Sequence, residues 1–258
     1  MNTSFAASSD GCRIAYDITG SGPAIVLLHG GAQSRKIWHS LGYVSRLLAD
    51  YTVLTVDLRG HGESDKPTDA RAYTTMQQCK DILAAVDQAG IEQFMLWGYS
   101  FGANIGRYLA AQSERVRRFV LVGIPFGAGA SGEFHSTIVG VRDRWIPILK
   151  AQQDGSLDEA SLSPAERSYL QSGRAGSEVA WLTAILDWEH IGPNDLLCST
   201  LWILGGENRV ALENARSIEA TLAASHVCLT VIDGLTHETE LTEVDSVLPY
   251  IQQFLERR

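Results

Sequence analysis

Ser100 stands at the centre of Gly98-Tyr99-Ser100-Phe101-Gly102, directly after the apolar run Phe94–Trp97 and directly before a helical pattern. A strand that turns at once into a helix forces its central residue into strained backbone geometry, and flanking glycines make room for the turn. The hydroxyl then projects above the sheet, and the helix N-terminus beneath it favours developing negative charge. These are the requirements of a nucleophile that attacks a carbonyl carbon. A serine hydroxyl also needs a base. Among the seven histidines, His29 and His61 belong to Gly-rich turns, His135 and His190 lie in helical or irregular sequence, and His226 opens a strand. His39 lies within a helical stretch. His237 alone follows the last apolar run, Val227–Ile232, and is the expected base.

The elements that must position these groups are legible as alternating patterns. Arg13–Ile18, Ala24–Leu28, Tyr51–Val56, Phe94–Trp97, Phe119–Val122, Leu201–Leu204 and Val227–Ile232 read as strands, several of them continuously apolar as in strands buried on both faces. Helical patterns fall over Trp38–Ala49, Thr75–Gly90, Ala103–Gln112, Leu212–Ala223 and Val244–Glu256. Strict strand–helix alternation implies βαβ units with right-handed crossovers, and therefore a mostly parallel central sheet flanked by helices. Between Pro125 and Asp195 the rhythm breaks into helical sequence rich in aromatics. The expected division is a core of residues 1–125 and 196–258, with 126–195 a helical insertion over the sheet rather than a separate domain. In a parallel α/β sheet ligands bind beyond the carboxyl ends of the strands, and the unusual residues cluster there.

Four motifs, in order and at the expected strand ends, carry a resemblance: His29-Gly30-Gly31, Asp57-Leu58-Arg59-Gly60-His61-Gly62-Glu63-Ser64, Gly98-Tyr99-Ser100-Phe101-Gly102 and the late His237. Across nearly its whole length the sequence resembles the α/β-hydrolase superfamily, in the compact serine-hydrolase form with a helical cap. The resemblance implies the α/β-hydrolase fold, Ser100 as nucleophile, His237 as base, and the backbone N–H groups of Gly31 and Phe101 as an oxyanion hole. Preorganised donors of that kind contribute about 3 kcal/mol each. The Asp57–Ser64 segment reads as a structural turn fixed by Asp57 and Arg59.

One position departs from the family pattern. The acid usually follows the strand after the cap in a G-x-x-D context, but here Leu201–Leu204 runs into Gly205-Gly206-Glu207-Asn208, which puts an amide where a carboxylate is expected. Three readings stand: Asn208 orients the imidazole without supplying charge, Glu207 reaches it with a longer side chain, or the acid comes from elsewhere. The alternative family position, after Phe119–Val122, holds only Gly123 and Ile124.

Trp38, Phe134, Trp145, Trp181 and Trp188 suggest an aromatic-lined pocket for a small or medium apolar ester, lactone or thioester. The leading expectation is a carboxylesterase- or lactonase-like enzyme working through an acyl-enzyme. A non-hydrolytic lyase or cofactor-free oxygenase using His237 as base, and a weakly catalytic ligand-binding or sensor protein, are the alternatives. Of 258 residues 45% are hydrophobic and 20% charged, which excludes wholesale disorder, and a net charge of −9 disfavours nucleic acid as a partner. A small-molecule substrate is the expected partner. Cys12, Cys79, Cys198 and Cys228 lack the spacing of a zinc site and read as reduced, mostly buried thiols. No metal or cofactor is expected. The polar start of the chain and the short apolar runs lead to the expectation of a cytoplasmic protein without a secretory signal or membrane span.

Overall fold

The apolar runs become the middle of an eight-stranded sheet of order β1-β2-β4-β3-β5-β6-β7-β8. The computed structural model describes residues 2–256. Its strands are β1 (Ser4–Ala7), β2 (Arg13–Gly20), β3 (Ala24–Leu28), β4 (Thr52–Val56), β5 (Phe94–Tyr99), β6 (Val116–Val122), β7 (Ser199–Gly205) and β8 (Val227–Ile232). From β4 through β3, β5, β6 and β7 to β8 every neighbouring pair is parallel, whereas β1 and β2 run antiparallel at one edge. The chain therefore adopts the α/β-hydrolase fold.

Side chains alternate between the two faces of each strand, and the buried set divides accordingly. Val26 and Leu28 of β3 and Phe94 and Leu96 of β5 belong to one core, which α3 (Thr75–Gln88) and α4 (Phe101–Gln112) cover through Ile82, Val86, Ile105 and Leu109. Ile25 and Leu27 of β3 and Met95 and Trp97 of β5 belong to the other. That second core is covered by α1 (Lys36–Ser40), α2 (Tyr43–Leu47) and, through Val247, Ile251 and Leu255, by the closing helix described below.

Between β6 and β7 the chain forms α5 (Gly132–Asp154), α6 (Pro164–Gln171) and α7 (Ala175–Ile185). Beyond β7 follow α8 (Arg209–Ser217), α9 (Glu219–Ala223), α10 (Thr239–Thr242) and α11 (Val244–Glu256). Two expected helices are each divided. The Trp38–Ala49 stretch breaks at Gly42, which adopts φ 81°, and the Leu212–Ala223 stretch breaks at Ile218, where φ and ψ leave the helical region. The edge strand β1 was not legible in sequence: it has four residues, and only Ala6 is buried. Among the described residues no helix is long and apolar enough to cross a membrane. Cys12, Cys79 and Cys198 are buried, while Cys228 on the edge strand β8 is exposed.

The turn after β4 is held by two buried arginines. Asp57 accepts hydrogen bonds from the Arg35 backbone N–H at 2.7 Å and the Glu63 N–H at 2.8 Å, and it pairs with the Arg35 guanidinium. Arg59 is fully buried; Asp81 on α3 accepts from its Nε at 2.8 Å and its Nη2 at 2.7 Å, and Asp10 takes the remaining edge. Removing one member of a buried pair leaves the other charge without compensation and costs about 3–5 kcal/mol. Asp81→Ala is therefore expected to lower unfolding free energy by roughly that amount, measured by urea denaturation; a loss below about 1 kcal/mol would mean that Asp10 alone satisfies Arg59.

Candidate active site

β5 and α4 meet at Ser100, which is held at φ 51° and ψ −115°, a backbone region that side chains rarely occupy. The turn closes so tightly that a Cβ on Gly98 would lie 2.5 Å from the Ala103 Cα, and one on Gly102 would lie 2.3 Å from the Leu28 carbonyl oxygen. The Ser100 N–H donates to the Val122 carbonyl at 3.0 Å, fastening the turn to the end of β6. Ser100 Oγ then stands 3.0 Å from His237 Nε2.

His237 comes from the loop between β8 and α10 and is about half exposed, yet its ring is held on two sides. Tyr99 stacks against it at 5.2 Å between ring centroids, and the Tyr99 hydroxyl donates to the His237 carbonyl at 2.8 Å. On the other side His237 Nδ1 lies 3.2 Å from Glu240 Oε2. With Nδ1–H donated to the carboxylate, Nε2 is left free to accept the serine proton.

Glu240 is the carboxylate that the sequence reading did not find. It follows His237 by three residues on the short helix α10 and is 1% exposed. Its Oε1 accepts from the Gly205 N–H at 2.6 Å and from Asn208 Nδ2 at 2.9 Å. The third-member expectation is accordingly corrected. Asn208 makes no hydrogen bond to His237: its Nδ2 donates to Glu240 and to the Gly123 carbonyl at 3.0 Å, and its Oδ1 caps α8 by accepting from the Ala211 N–H. Glu207 is exposed, and its carboxylate has no hydrogen-bond partner among the described residues.

The departure from the family pattern now has a physical reason. An aspartate at 208 would turn oxygen lone pairs towards two acceptors, the Glu240 carboxylate and the Gly123 carbonyl. The amide supplies the two N–H groups that those acceptors need. Gly123 completes the cage. At φ +87°, a Cβ there would fall 2.5 Å from Glu240 Oε2 and 2.9 Å from His237 Nδ1. Both acid positions expected from sequence are occupied by residues that make room for, or bind, a carboxylate arriving from α10.

The Gly31 loop also reaches the site. His29 Nε2 accepts from the Leu58 N–H at 3.1 Å, so Nδ1 carries the proton and donates to the Gly30 carbonyl at 2.7 Å. Burial, with His61 adjacent, lowers the His29 pKa to about 3 and keeps this ring neutral. The next residue but two, Ala32, adopts φ 58°. Gly31 and Phe101 both border one of two cavities that meet at Ser100, and the N–H groups of both lack a hydrogen-bond partner among the described residues. That cavity, about 280 Å³, is lined further by Glu178, Trp181, Leu182 and Ile185 of α7 and by Phe134 of α5. The other, about 290 Å³, extends from Ser100 and His237 past Asn208 to Arg107 and the 125–131 loop, with Phe134 again at its wall.

Of the five aromatic residues expected to line the pocket, Phe134 and Trp181 do so; Trp181 packs at a tilt against Phe101, 4.6 Å between ring centroids. The other three are corrected. Trp38 is fully buried on the opposite face of the sheet, edge-to-face with Tyr43 and Trp97. Trp145 packs on Tyr169 within the inserted helices. Trp188 sits behind Phe101 in the core and donates its Nε1–H to the Tyr73 carbonyl at 3.0 Å. Aromatic composition cannot distinguish a ring that packs an insertion onto a sheet from one that faces a ligand. Tyr99 carried no signal of its own, being one of the two variable positions of the serine motif.

Comparison with known proteins gives a concordant family result. The family model described as alpha/beta hydrolase fold matches residues 23–153. Epoxide hydrolase 3 of Siraitia grosvenorii is 31% identical over 121 residues, covering 46% of this chain and 38% of that protein. A Bacillus subtilis protein named as a 2-succinyl-6-hydroxy-2,4-cyclohexadiene-1-carboxylate synthase is 33% identical over 149 residues, covering 56% of this chain and 52% of that protein. The matched regions thus span about a third to a half of the length of these curated relatives. An esterase from Exiguobacterium antarcticum superposes with a TM-score of 0.74 at 21% identity over 100% of both chains.

Two measurements test this geometry. The carboxyl cage predicts that Gly123→Ala slows phosphonylation of Ser100 by a fluorophosphonate at least about tenfold and costs roughly 1–3 kcal/mol of stability from backbone strain; an unchanged labelling rate would place Glu240 elsewhere. For His29 the folded-state pKa lies below its ordinary 6.5. The unfolded chain therefore binds the extra proton first, so the contribution of the neutral ring is intact above the ordinary pKa and is lost as pH falls towards 3. His29→Gln should flatten the stability–pH slope in that window by up to about one proton, read from urea midpoints; an identical slope rejects the neutral, buried assignment.

Proposed function

The chain belongs to the alpha/beta hydrolase fold family, and on that premise we propose that it is a serine hydrolase of a small or medium carboxylic ester, lactone or thioester, working through an acyl-enzyme. The observation that carries this reading is the unbroken line from Ser100 Oγ to His237 Nε2 at 3.0 Å and from His237 Nδ1 to Glu240 Oε2 at 3.2 Å. Such a line is what general-base activation of a serine needs.

Ser100 Oγ bonds to the substrate carbonyl carbon as its proton passes to His237 Nε2. The developing imidazolium is stabilised by Glu240, whose burial and fixed donors spare it any reorganisation during the reaction. The carbonyl oxygen takes up negative charge facing the N–H groups of Gly31 and Phe101. Breaking the bond to the leaving group delivers the His237 proton to the departing alkoxide or thiolate. Water, deprotonated by the same imidazole, then attacks the acyl-serine, releases the carboxylic acid and returns the proton to Ser100. Helices α5 and α7 serve as the cap, setting Phe134 and Trp181 over the nucleophile.

Some relatives are named epoxide hydrolases, but the side chain at the elbow argues for acyl transfer here. Opening an epoxide with a serine hydroxyl would form an alkyl ether, which water does not cleave under such conditions, and the enzyme would stop after one event. An acyl-serine is hydrolysable. The resemblance to a synthase favours a second reading in which His237 removes a carbon-bound proton and no acyl-enzyme accumulates.

A panel of p-nitrophenyl esters with fluorophosphonate labelling separates these readings. Stoichiometric modification of Ser100, abolished by His237→Ala, together with burst kinetics is the expected outcome. Absence of both removes the hydrolase reading. Glu240→Gln is expected to lower kcat/KM by about 10²–10⁴, the range set by loss of the charged partner and of the correct tautomer, while Glu207→Gln stays within about threefold of the parent because its effect on the barrier is that of a surface charge. A reversed order would return the acid role to Glu207.

A further inference from the structure

Arg107 lies on α4 seven residues beyond Ser100, about 10 Å along the helix axis at the standard rise, and long helical side chains lean back towards the N-terminus. It is 1% exposed and, among the described residues, is the only arginine or lysine lining the 290 Å³ cavity that begins at Ser100 and His237. Its guanidinium donates to the Asn104 Oδ1 at 2.6 Å, the Ala128 carbonyl at 2.7 Å and the Pro125 carbonyl at 3.2 Å. Those are neutral acceptors. Among the described residues no carboxylate lies within salt-bridge distance of it, and its fully buried Nε has no partner. The two other fully or nearly buried arginines near the strand ends, Arg35 and Arg59, are each matched by at least two carboxylates. Burial without a counter-charge pulls the Arg107 pKa down to about 10.

A buried cation that the fold does not neutralise is costly to keep, and side chains of this kind ordinarily come paired. The three carbonyl and amide bonds explain a donor at this position, since they fasten the 125–129 loop to α4. They do not explain a charge, which among the described residues meets the face of the Tyr108 ring at 5.3 Å but no counter-ion. The charge has a direction, because the second cavity at Ser100 carries the opposite sign at Glu178 together with the aromatic face of Trp181.

We infer that the Arg107 cavity is a subsite for a carboxylate carried by the substrate, so that the ester cleaved at Ser100 is one whose acyl or alcohol portion bears an acidic group a few carbons from the scissile bond. Its Nη1, which donates only to the Pro125 carbonyl, keeps one N–H that can be given to a carboxylate oxygen in a charge-assisted bond. The apolar portion of such a substrate occupies the cavity beneath Trp181. This deepens the serine-hydrolase reading and rests on it for turnover, though not for binding.

The test uses the full chain and two pairs of probes, with the carboxylate on either side of the ester: monoethyl glutarate against diethyl glutarate, and 4-acetoxybutanoate against its ethyl ester. In one pair or both, kcat/KM for the acid is expected to exceed that for the neutral ester by about tenfold or more, the discrimination typical of a charge-assisted contact. Arg107→Met should bring that ratio near one, with Arg107→Lys in between; both are checked for folding by circular dichroism. Equal rates for acid and neutral ester in both pairs overturn the proposal, as does a ratio that survives in Arg107→Met, which would leave the arginine a loop staple only. Should Arg107→Met not fold, the parent ratio and Arg107→Lys decide. Calorimetric binding of monoethyl glutarate and 4-acetoxybutanoate to Ser100→Ala, weakened at least about tenfold by adding Arg107→Lys, reads the subsite without turnover. If no ester is hydrolysed, the hydrolase reading fails and this measurement alone stands for or against Arg107; absence of binding by both probes overturns it.

Discussion

The site depends on one backbone constraint, the left-handed conformation of Ser100 between β5 and α4. A strand and a helix can be joined by a single residue only if that residue gives up its relaxed geometry and its neighbours give up their side chains. Gly98 and Gly102 are those neighbours, and the Leu28 carbonyl and Ala103 backbone press against the space they leave. The strain is held by the surrounding sheet: Ser100 is tied to Val122, and β5 is paired with β3 on one side and β6 on the other. The hydroxyl is thereby presented at the carboxyl edge of the central strands, where the loops after β3, β6, β7 and β8 converge.

The second constraint is electrostatic. A carboxylate removed from water needs donors in place of its hydration. Glu240 finds the Gly205 amide and the Asn208 side chain from the turn after β7, and His237 from the loop after β8. None of these donors is a cation, so the charge is left available to the imidazole and is not neutralised by an arginine. The turn after β4 shows the contrasting solution, with Arg35 and Arg59 fully matched by acids and serving the fold alone. The difference separates a carboxylate left facing an imidazole from carboxylates that hold a loop.

The inserted helices contribute unevenly. α7 brings Trp181 against Phe101 and close enough to Gly31 that a Cβ there would meet its ring at 3.2 Å. α5 brings Phe134, which is 48% exposed and shared by both cavities. Trp145 and Trp188 instead pay the ordinary cost of attaching a helical segment with little core of its own. The sequence carried the right composition for a pocket wall and could not assign which rings would form it, because helix phase over an insertion without regular amphipathicity is decided by packing against the sheet.

What the chain determined locally was legible from the start. Apolar runs set β3 through β8, glycine spacing marked the elbow at Ser100, and the position of His237 after the last strand marked the imidazole that meets the Ser100 hydroxyl; each is a property of a few contiguous residues. Asn208 and Gly123 were visible too, but only as missing acids. Their meaning required the third dimension, since an amide and an absent side chain acquire a role only when a carboxylate arrives between them. That carboxylate sits three residues beyond His237 on a four-residue helix, where Glu238 and Glu240 are indistinguishable by type. Tertiary structure chose Glu240 because α10 turns that side chain inward beneath Gly205 while Glu238 faces solvent. Periodicity over one short turn cannot tell inside from outside; the desolvation cost of a charge, met only by donors from the ends of β7 and β8, does.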